Sequence, residues 1–264
     1  MSYKTVFQPM RQGRKSRVLS IATAFVSLVL CLNTAQVAAQ SGTEADDPVT
    51  HAFLNSNQAG VRLGGWSNQG ATPPDSLQVS ANSFYQNDIG SGSFYLEGFF
   101  GFRLSRALML EFSLGLVSRG DVYLVEETGG SSIGTLQVYP ILAKVKFYPS
   151  ARPIAGLFPY LLAGGGVYYG RHDIQFVTGI DAAYRAAFGE NSKTDFSYVL
   201  GGGIDWPVAS VVALDLNAQY MPVKFSGNLI GVDDYSSLTI TVGVKYLASR
   251  KAKKEHPHRL LSRR

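Results

Sequence analysis

The chain has 264 residues with a formal charge of +5, one cysteine and 28 glycines, a length that admits one or two domains with a sizeable core. The positive charge does not mark a nucleic-acid binder, because Lys4, Arg11, Arg14, Lys15 and Arg17 crowd the beginning and Arg250, Lys251, Lys253, Lys254, Arg259, Arg263 and Arg264 crowd the end. The body between them carries 18 acidic and 12 basic residues, so neither a basic groove nor a polyanion partner is expected there.

Residues 1–39 read as a secretory signal: a basic start, an apolar run from Val18 to Leu32, then small residues ending in Val37-Ala38-Ala39. Cleavage is expected between Ala39 and Gln40, since small side chains two residues apart suit the signal peptidase. The competing reading, an N-terminal membrane anchor, is weakened by the apolar run of 15 residues, where a helical span needs about 20. Cys31 lies inside that run and would leave with it, so no disulfide or thiol chemistry is expected in the mature chain. Residues 40–57 carry Glu44, Asp46, Asp47 and His51 and are expected to form a short mobile acidic lead-in.

From residue 58 the pattern changes to a period of two, the repeat that sends alternate side chains to opposite faces of a strand. Eight strands are expected, near 58–68, 93–104, 107–119, 135–148, 159–172, 195–206, 211–223 and 236–247. In the second, Phe94, Leu96, Phe100 and Phe102 oppose Tyr95, Glu97, Phe99 and Arg103. The third sets Leu108, Leu110, Phe112, Leu114 and Leu116 against Glu111 and Arg119, and the fourth sets Tyr139, Ile141, Val145 and Phe147 against Lys144 and Lys146. The fifth is rich in glycine and tyrosine and leaves its facing open. The sixth places Phe196, Tyr198, Leu200 and Trp206 opposite Asp205, and the seventh places Leu214 and Leu216 opposite Asp215, Asn217 and Gln219. The last has Leu238, Ile240, Val242, Val244 and Tyr246 on one face and Thr239, Thr241, Gly243 and Lys245 on the other.

Connections alternate in length. Ser105-Arg106, residues 149–158 and Pro207-Val208 make short or modest links, while 69–92, 120–134, 173–194 and 224–235 make long ones. Short turns at one end and long loops at the other are the layout of an outer-membrane barrel, with long loops outside the cell and, for an even strand number, both termini in the periplasm. A soluble barrel inverts the pattern and would have to bury the charged faces seen here. The expected fold is therefore all-β, an eight-stranded antiparallel up-and-down transmembrane barrel over 58–248, followed by a basic periplasmic tail over 249–264.

The segment from Gln137 to Pro149 (QVYPILAKVKFYP), followed by Phe158 to Tyr169 (FPYLLAGGGVYY), resembles the middle hairpin of small outer-membrane barrels of the OmpA, OmpX and OmpW kind. That resemblance implies an integral protein of a bacterial outer membrane that meets its lipids, lipopolysaccharide and the barrel-assembly machinery. It also implies a possible small, even hydrophobic, solute. Those barrels commonly end in an aromatic; Tyr246 is the counterpart here, though a basic tail follows it.

Gly164-Gly165-Gly166 and Gly201-Gly202-Gly203 lie within strands and lack the lysine of a phosphate loop, so they read as relief of crowding in a narrow ring. The resembling barrels include lipid A acyltransferases and deacylases, which keeps an enzyme as the alternative. His172-Asp173 has no serine two positions away on its face, so no catalytic residues are assigned. No histidine, cysteine or aspartate cluster has metal-ligand spacing, and no cofactor is expected. The residues of interest are the inward polar set: Arg62, Glu97, Arg103, Glu111, Arg119, Lys144, Lys146, Asp205, Asp215, Asn217, Gln219 and Lys245. Eight strands leave an interior that side chains can fill. Plugging is thus the default and limited passage of small solutes the alternative, in a protein with a structural or surface-interaction role. Glu97, Glu111 and Lys144 fall at similar heights on successive strands and are expected to meet.

Overall fold

In the computed structural model the chain is described over residues 47–70, 76–80, 83–88, 91–126, 129–150, 152–174, 192–229 and 232–249. The expected leader, its cleavage point at Ala39 and Gln40, and the basic tail past Ser249 lie outside these residues. One short helix, α1 (Pro48–Asn55), precedes β1 (Ser56–Asn68), β2 (Ser76–Ser80), β3 (Ser83–Asp88), β4 (Gly92–Arg103), β5 (Leu108–Glu126) and β6 (Gly129–Phe147). Then follow β7 (Phe158–Ile174), β8 (Ser192–Ala209), β9 (Val212–Met221), β10 (Lys224–Leu229), β11 (Val232–Asp234) and β12 (Ser237–Ser249).

Eight of these strands close a ring, in the order β1, β4, β5, β6, β7, β8, β9, β12 and back to β1, with every neighbour antiparallel. Closure runs from Ser56 opposite Ser249 to Asn68 opposite Ser237, so no backbone edge of the ring is left unpaired between those residues. The shortest ring strand has 10 residues, enough for a tilted span of about 9–11. No helix among the described residues is long and apolar enough to cross a membrane, and the crossing falls to the strands.

Burial is inverted relative to a soluble protein. Phe196 is 74% exposed, Tyr246 59% and Ile240 57%, whereas Arg62, Glu97 and Lys144 are fully buried. This sorting follows the period-two pattern strand by strand, and β7 takes the same rule: Phe158, Tyr160, Leu162, Tyr168 and His172 point inward while Leu161 and Val167 point out. Exposed aromatics ring both ends of the apolar band, with Phe147, Trp206 and Tyr246 near the short turns and Phe94 and Phe196 near the long connections, as interfacial aromatics do.

Three expectations are corrected. The segment 40–57 is not wholly a mobile lead-in. Asp47 caps α1 by accepting from Val49 N at 3.2 Å and Thr50 N at 3.3 Å, Pro48 stands at the first helical turn, and Phe53 and Leu54 are buried. A capping aspartate followed by proline is a helix start, and two adjacent apolar residues give the helix something to bury. The link 120–134 is a strand extension rather than a loop. Gly120, at a φ of 129°, absorbs a register shift that other residues would resist, after which Val122 and Leu124 turn inward and pairing continues to Glu126 opposite Gly129. Pro207-Val208 lies within β8, and the turn falls after Ala209. The links 69–92 and 224–235 carry the paired strands β2–β3 and β10–β11.

Candidate functional site in the barrel lumen

Strand register places the charged residues. Arg62 on β1 stands opposite Glu97 on β4, Glu111 on β5 opposite Lys144 on β6, and Asp205 on β8 opposite Asp215 on β9. Where a long side chain crosses the lumen, the other flanking strand supplies glycine: Gly115 beside Glu97, Gly101 beside Glu111, Gly164 beside Lys144 and Gly60 beside Lys245. The room is needed. A methyl group at Gly243 would lie 2.8 Å from Arg62 Cγ, and one at Gly101 2.7 Å from Met109 Sδ.

Arg62 is the hub. Its Nη1 donates to Glu97 Oε2 at 3.0 Å and Glu111 Oε1 at 2.8 Å, its Nη2 to Glu111 Oε2 at 2.7 Å, and its Nε to Asp215 Oδ1 at 3.0 Å. The planar fork of a guanidinium suits this, because its donors point to separate carboxylates at once. Lys144 pairs with Glu97 and lies 3.0 Å from Glu111 Oε1; Lys146 lies 2.8 Å from Glu111 Oε2. Lys245 pairs with Asp205 and sits 2.5 Å from Asp215 Oδ2. Four cations and four carboxylates thus share one network, and all eight side chains are fully buried. The Glu97, Glu111 and Lys144 contact expected from their heights is present.

Neutral side chains complete it. Tyr148 donates to Asp205 Oδ2 at 2.8 Å, Tyr160 to Asp215 Oδ2 at 3.3 Å, and Asn217 to Tyr160 Oη at 2.7 Å. Gln219 is 3.5 Å from both Glu97 Oε2 and Lys144 Nζ. Phe99 lies under the Arg62 guanidinium, 3.7 Å from ring centre to Cζ, a cation–π contact that suits an ion removed from water. An ion taken out of water is tolerated only with close opposite charge, and every ion of the network has at least one such partner. Side chains with no accessible surface leave no water-sized space beside them, so the cluster fills the section of the barrel it occupies.

Two of the expected residues stand apart. Arg103 lies at the short-turn mouth, stacked over Tyr148 at 4.5 Å and Phe53 at 5.1 Å and donating to the Phe53 carbonyl at 3.2 Å. Phe53 in turn stacks on Phe158, centroids 4.6 Å apart, so α1 seals that mouth. Arg119 lies at the opposite end, 5.6 Å from the Tyr235 ring, beneath β10–β11. The sequence reading missed Tyr148 and Tyr160 as partners and α1 as the seal. Tyr160 shares its period-two face with Phe158 and Leu162, a signal that could have placed it inside. Among the described residues no group of three or more histidine, cysteine, aspartate or glutamate side chains is placed to hold a metal ion.

A ring of this strand number, with apolar outside and ion-filled inside, can be matched to known proteins. The model of the outer membrane protein beta-barrel domain matches residues 25–246. The chain belongs to that family. It is an outer-membrane β-barrel. Among solved structures it is similar to Neisserial surface protein A, at 14% identity and a TM-score of 0.47, covering 72% of this chain and 96% of that one. It is also similar to OprG from Pseudomonas aeruginosa, at 13% identity and a TM-score of 0.46, covering 74% and 98%. A third similar structure is AlkL, solved in lipid bilayers, at 13% identity and a TM-score of 0.39, covering 81% and 98%. No curated protein matches the chain in sequence.

Proposed function

We propose that this protein is a closed, non-enzymatic outer-membrane barrel. Its role is structural or surface-interacting and is carried by the outer connections rather than by an open pore. The observation that carries this reading is the neutral ion cluster, which spans the ring from β1 to β6 and from β9 to β12 without accessible surface. Eight strands give a lumen of about side-chain width, and here each buried carboxylate of the cluster is held by at least one cation. These carboxylates are therefore poorly placed to act as acid or base on a lipid outside the wall. The exposed apolar band with Trp206 and Tyr246 supports contact with membrane lipid, lipopolysaccharide included, and Tyr246 supports recognition by the assembly machinery.

Planar-bilayer recordings on the refolded protein test this directly. Silence is expected, and steady conductance would overturn it; acyl release from lipid A would overturn the non-enzymatic part. The orientation is tested by protease shaving of intact cells. Cuts are expected within 69–92 and 173–194 and not at Ser105-Arg106. A second reading, limited passage of a small solute, is favoured by one observation: outward of the cluster the lumen turns from ionic to aromatic and aliphatic, with Trp66, Tyr95, Val117, Leu142, Tyr168 and Val199 all buried.

A further inference from the structure

Beyond the apolar band the wall of the ring continues on one side. β5 and β6 run on together to Glu126 opposite Gly129, and β3 takes over from β4 on the other edge of β5, from Asp88 opposite Asp121 to Ser83 opposite Glu126. β2 turns back along β3, with Ser76 opposite Gln86 and Leu77 opposite Tyr85. The sheet ends there. Every other strand of it has two neighbours, so among the described residues β2 alone pairs on one edge only. β11, on the other side of the closure, pairs with β10 in a separate sheet. The two sides still touch at Gly70, where a methyl group would lie 2.2 Å from the Asp234 carbonyl oxygen, and above that level they part.

A free edge presents a row of unpaired N–H and C=O groups and is a template for another strand, which is why charge, proline, a bulge or a covering segment ordinarily guards it. Ser76-Leu77-Gln78-Val79-Ser80 has no charge and no proline. Its one guard among the described residues is an irregularity between Gln78 and Ser80 on the β3 side. Turned end for end, the segment reads the same: polar, apolar, polar, apolar, polar. Laid antiparallel on a second copy and centred on Gln78, it sets Ser76 opposite Ser80 and Leu77 opposite Val79, twice over, as a two-fold interface requires. Polar then meets polar and apolar meets apolar, with no like charges opposed.

We propose that β2 is a self-recognition edge, at which two copies of this chain join their sheets antiparallel through the backbone. Two copies in one membrane, related by a turn about its normal, keep their strands pointing the same way along it and meet parallel, the weaker pairing. Copies in facing membranes meet antiparallel, so the partner is a second copy on a neighbouring cell. A join of five residues is weak singly, and a surface carrying many copies strengthens it by avidity. The inference deepens the surface-interacting reading and rests on the long connections lying outside the cell.

The test places charge at the centre of the join. The full chain is displayed on cells whose lipopolysaccharide lacks long polysaccharide chains, and settling from suspension is followed. Parent cells should settle. Gln78→Lys and Gln78→Glu each set like charges directly opposite in a self-pair, which should weaken each join about fivefold and, over many joins, keep either population suspended. Mixed, the two variants oppose lysine to glutamate and should settle together in clumps that hold both cell types. That recovery also shows that both are folded and displayed. The same two charges at Gln86, exposed on β3 one strand in from the free edge, should leave settling at the parent's level. Parent cells that settle no faster than cells lacking the protein, Gln78 variants that settle like the parent, a mixture that stays suspended, or loss of settling in the Gln86 variants would each overturn the edge. If protease shaving spares residues 69–92, the surface reading falls and this inference with it. If it cuts there and parent cells stay apart, self-recognition alone falls.

Discussion

The charged belt of the lumen and the aromatic stretch between it and the long connections are held differently. In the belt, the charges of the cluster are paired, several of them twice, and Tyr148 and Tyr160 donate to its carboxylates. Toward the long connections, Tyr95 and Tyr168 carry the same hydroxyl and have no hydrogen-bond partner among the described residues. The difference teaches which polar groups a membrane barrel must satisfy by folding alone. An unpaired ion in a dry interior costs far more than an unpaired hydroxyl. The charged belt therefore specifies one register and holds it, while the aromatic stretch carries a tolerable deficit.

The largest test of that contrast is Arg62. Arg62→Ala leaves Glu97, Glu111 and Asp215 without their shared cation, and breaking a buried ionic network costs about 3–5 kcal/mol. Urea unfolding in lipid vesicles should show a loss of that size. Arg62→Lys should recover only part of it, since a single ammonium cannot reach three carboxylates with a fixed fork. A loss below about 1 kcal/mol, the range of exposed pairs, would mean the cluster is hydrated and does not hold the barrel.

Lys144→Ala comes next. Glu97 keeps Arg62, and Glu111 keeps Arg62 and Lys146, so the loss should be smaller, about 2–3 kcal/mol for hydrogen bonds to charged groups. The cluster would also carry an excess negative charge, and a cation leak should appear in bilayer recordings. Adding Glu97→Gln to Lys144→Ala restores the balance. The double variant should then lose less than the two single losses combined, because the residues are in contact. Strict additivity would show that the pair does not interact in the membrane.

Much of this architecture was legible in the chain. A strand's period of two needs no tertiary information, which is why Glu97, Glu111, Lys144, Asp215 and Lys245 could be placed inside from their neighbours alone. The heights of Glu97, Glu111 and Lys144 could be counted from the short turns because antiparallel register is set by the turn. What could not be counted was the far side of the ring. Arg62 reaches Asp215, 153 residues away, and only closure of β1 on β12 brings them together. Glycine blurred β7, where Gly164, Gly165 and Gly166 contribute nothing to a facing pattern. α1 was hidden by its acidic approach, although Asp47-Pro48 carries a helix start, and the extension of β5 past Gly120 depends on a backbone angle that composition does not reveal.

Two tyrosine-to-phenylalanine changes sharpen the comparison with identical chemistry. Tyr148→Phe removes a donor from Asp205 Oδ2 at 2.8 Å. Lys245 still holds that carboxylate, so the loss should sit at the low end for a charged partner, about 1.5 kcal/mol.

Tyr168→Phe should have the smallest effect of all. Tyr168 is as fully buried as Tyr148, and the same single oxygen is deleted, so packing and apolar area are matched. Its hydroxyl has no hydrogen-bond partner among the described residues, and removing a buried polar atom that is unpaired relieves a desolvation cost instead of breaking a bond. Stability in the same urea titration should stay within about 0.5 kcal/mol of the parent, the range of substitutions that break no named interaction, and any shift should be towards greater stability. If Tyr168→Phe instead costs as much as Tyr148→Phe, the outer hydroxyls are partnered in the membrane and the aromatic stretch obeys the same rule as the charged belt. If it costs nothing while Tyr148→Phe does, the boundary between the two lies between these residues, just outward of Glu97 and Lys144.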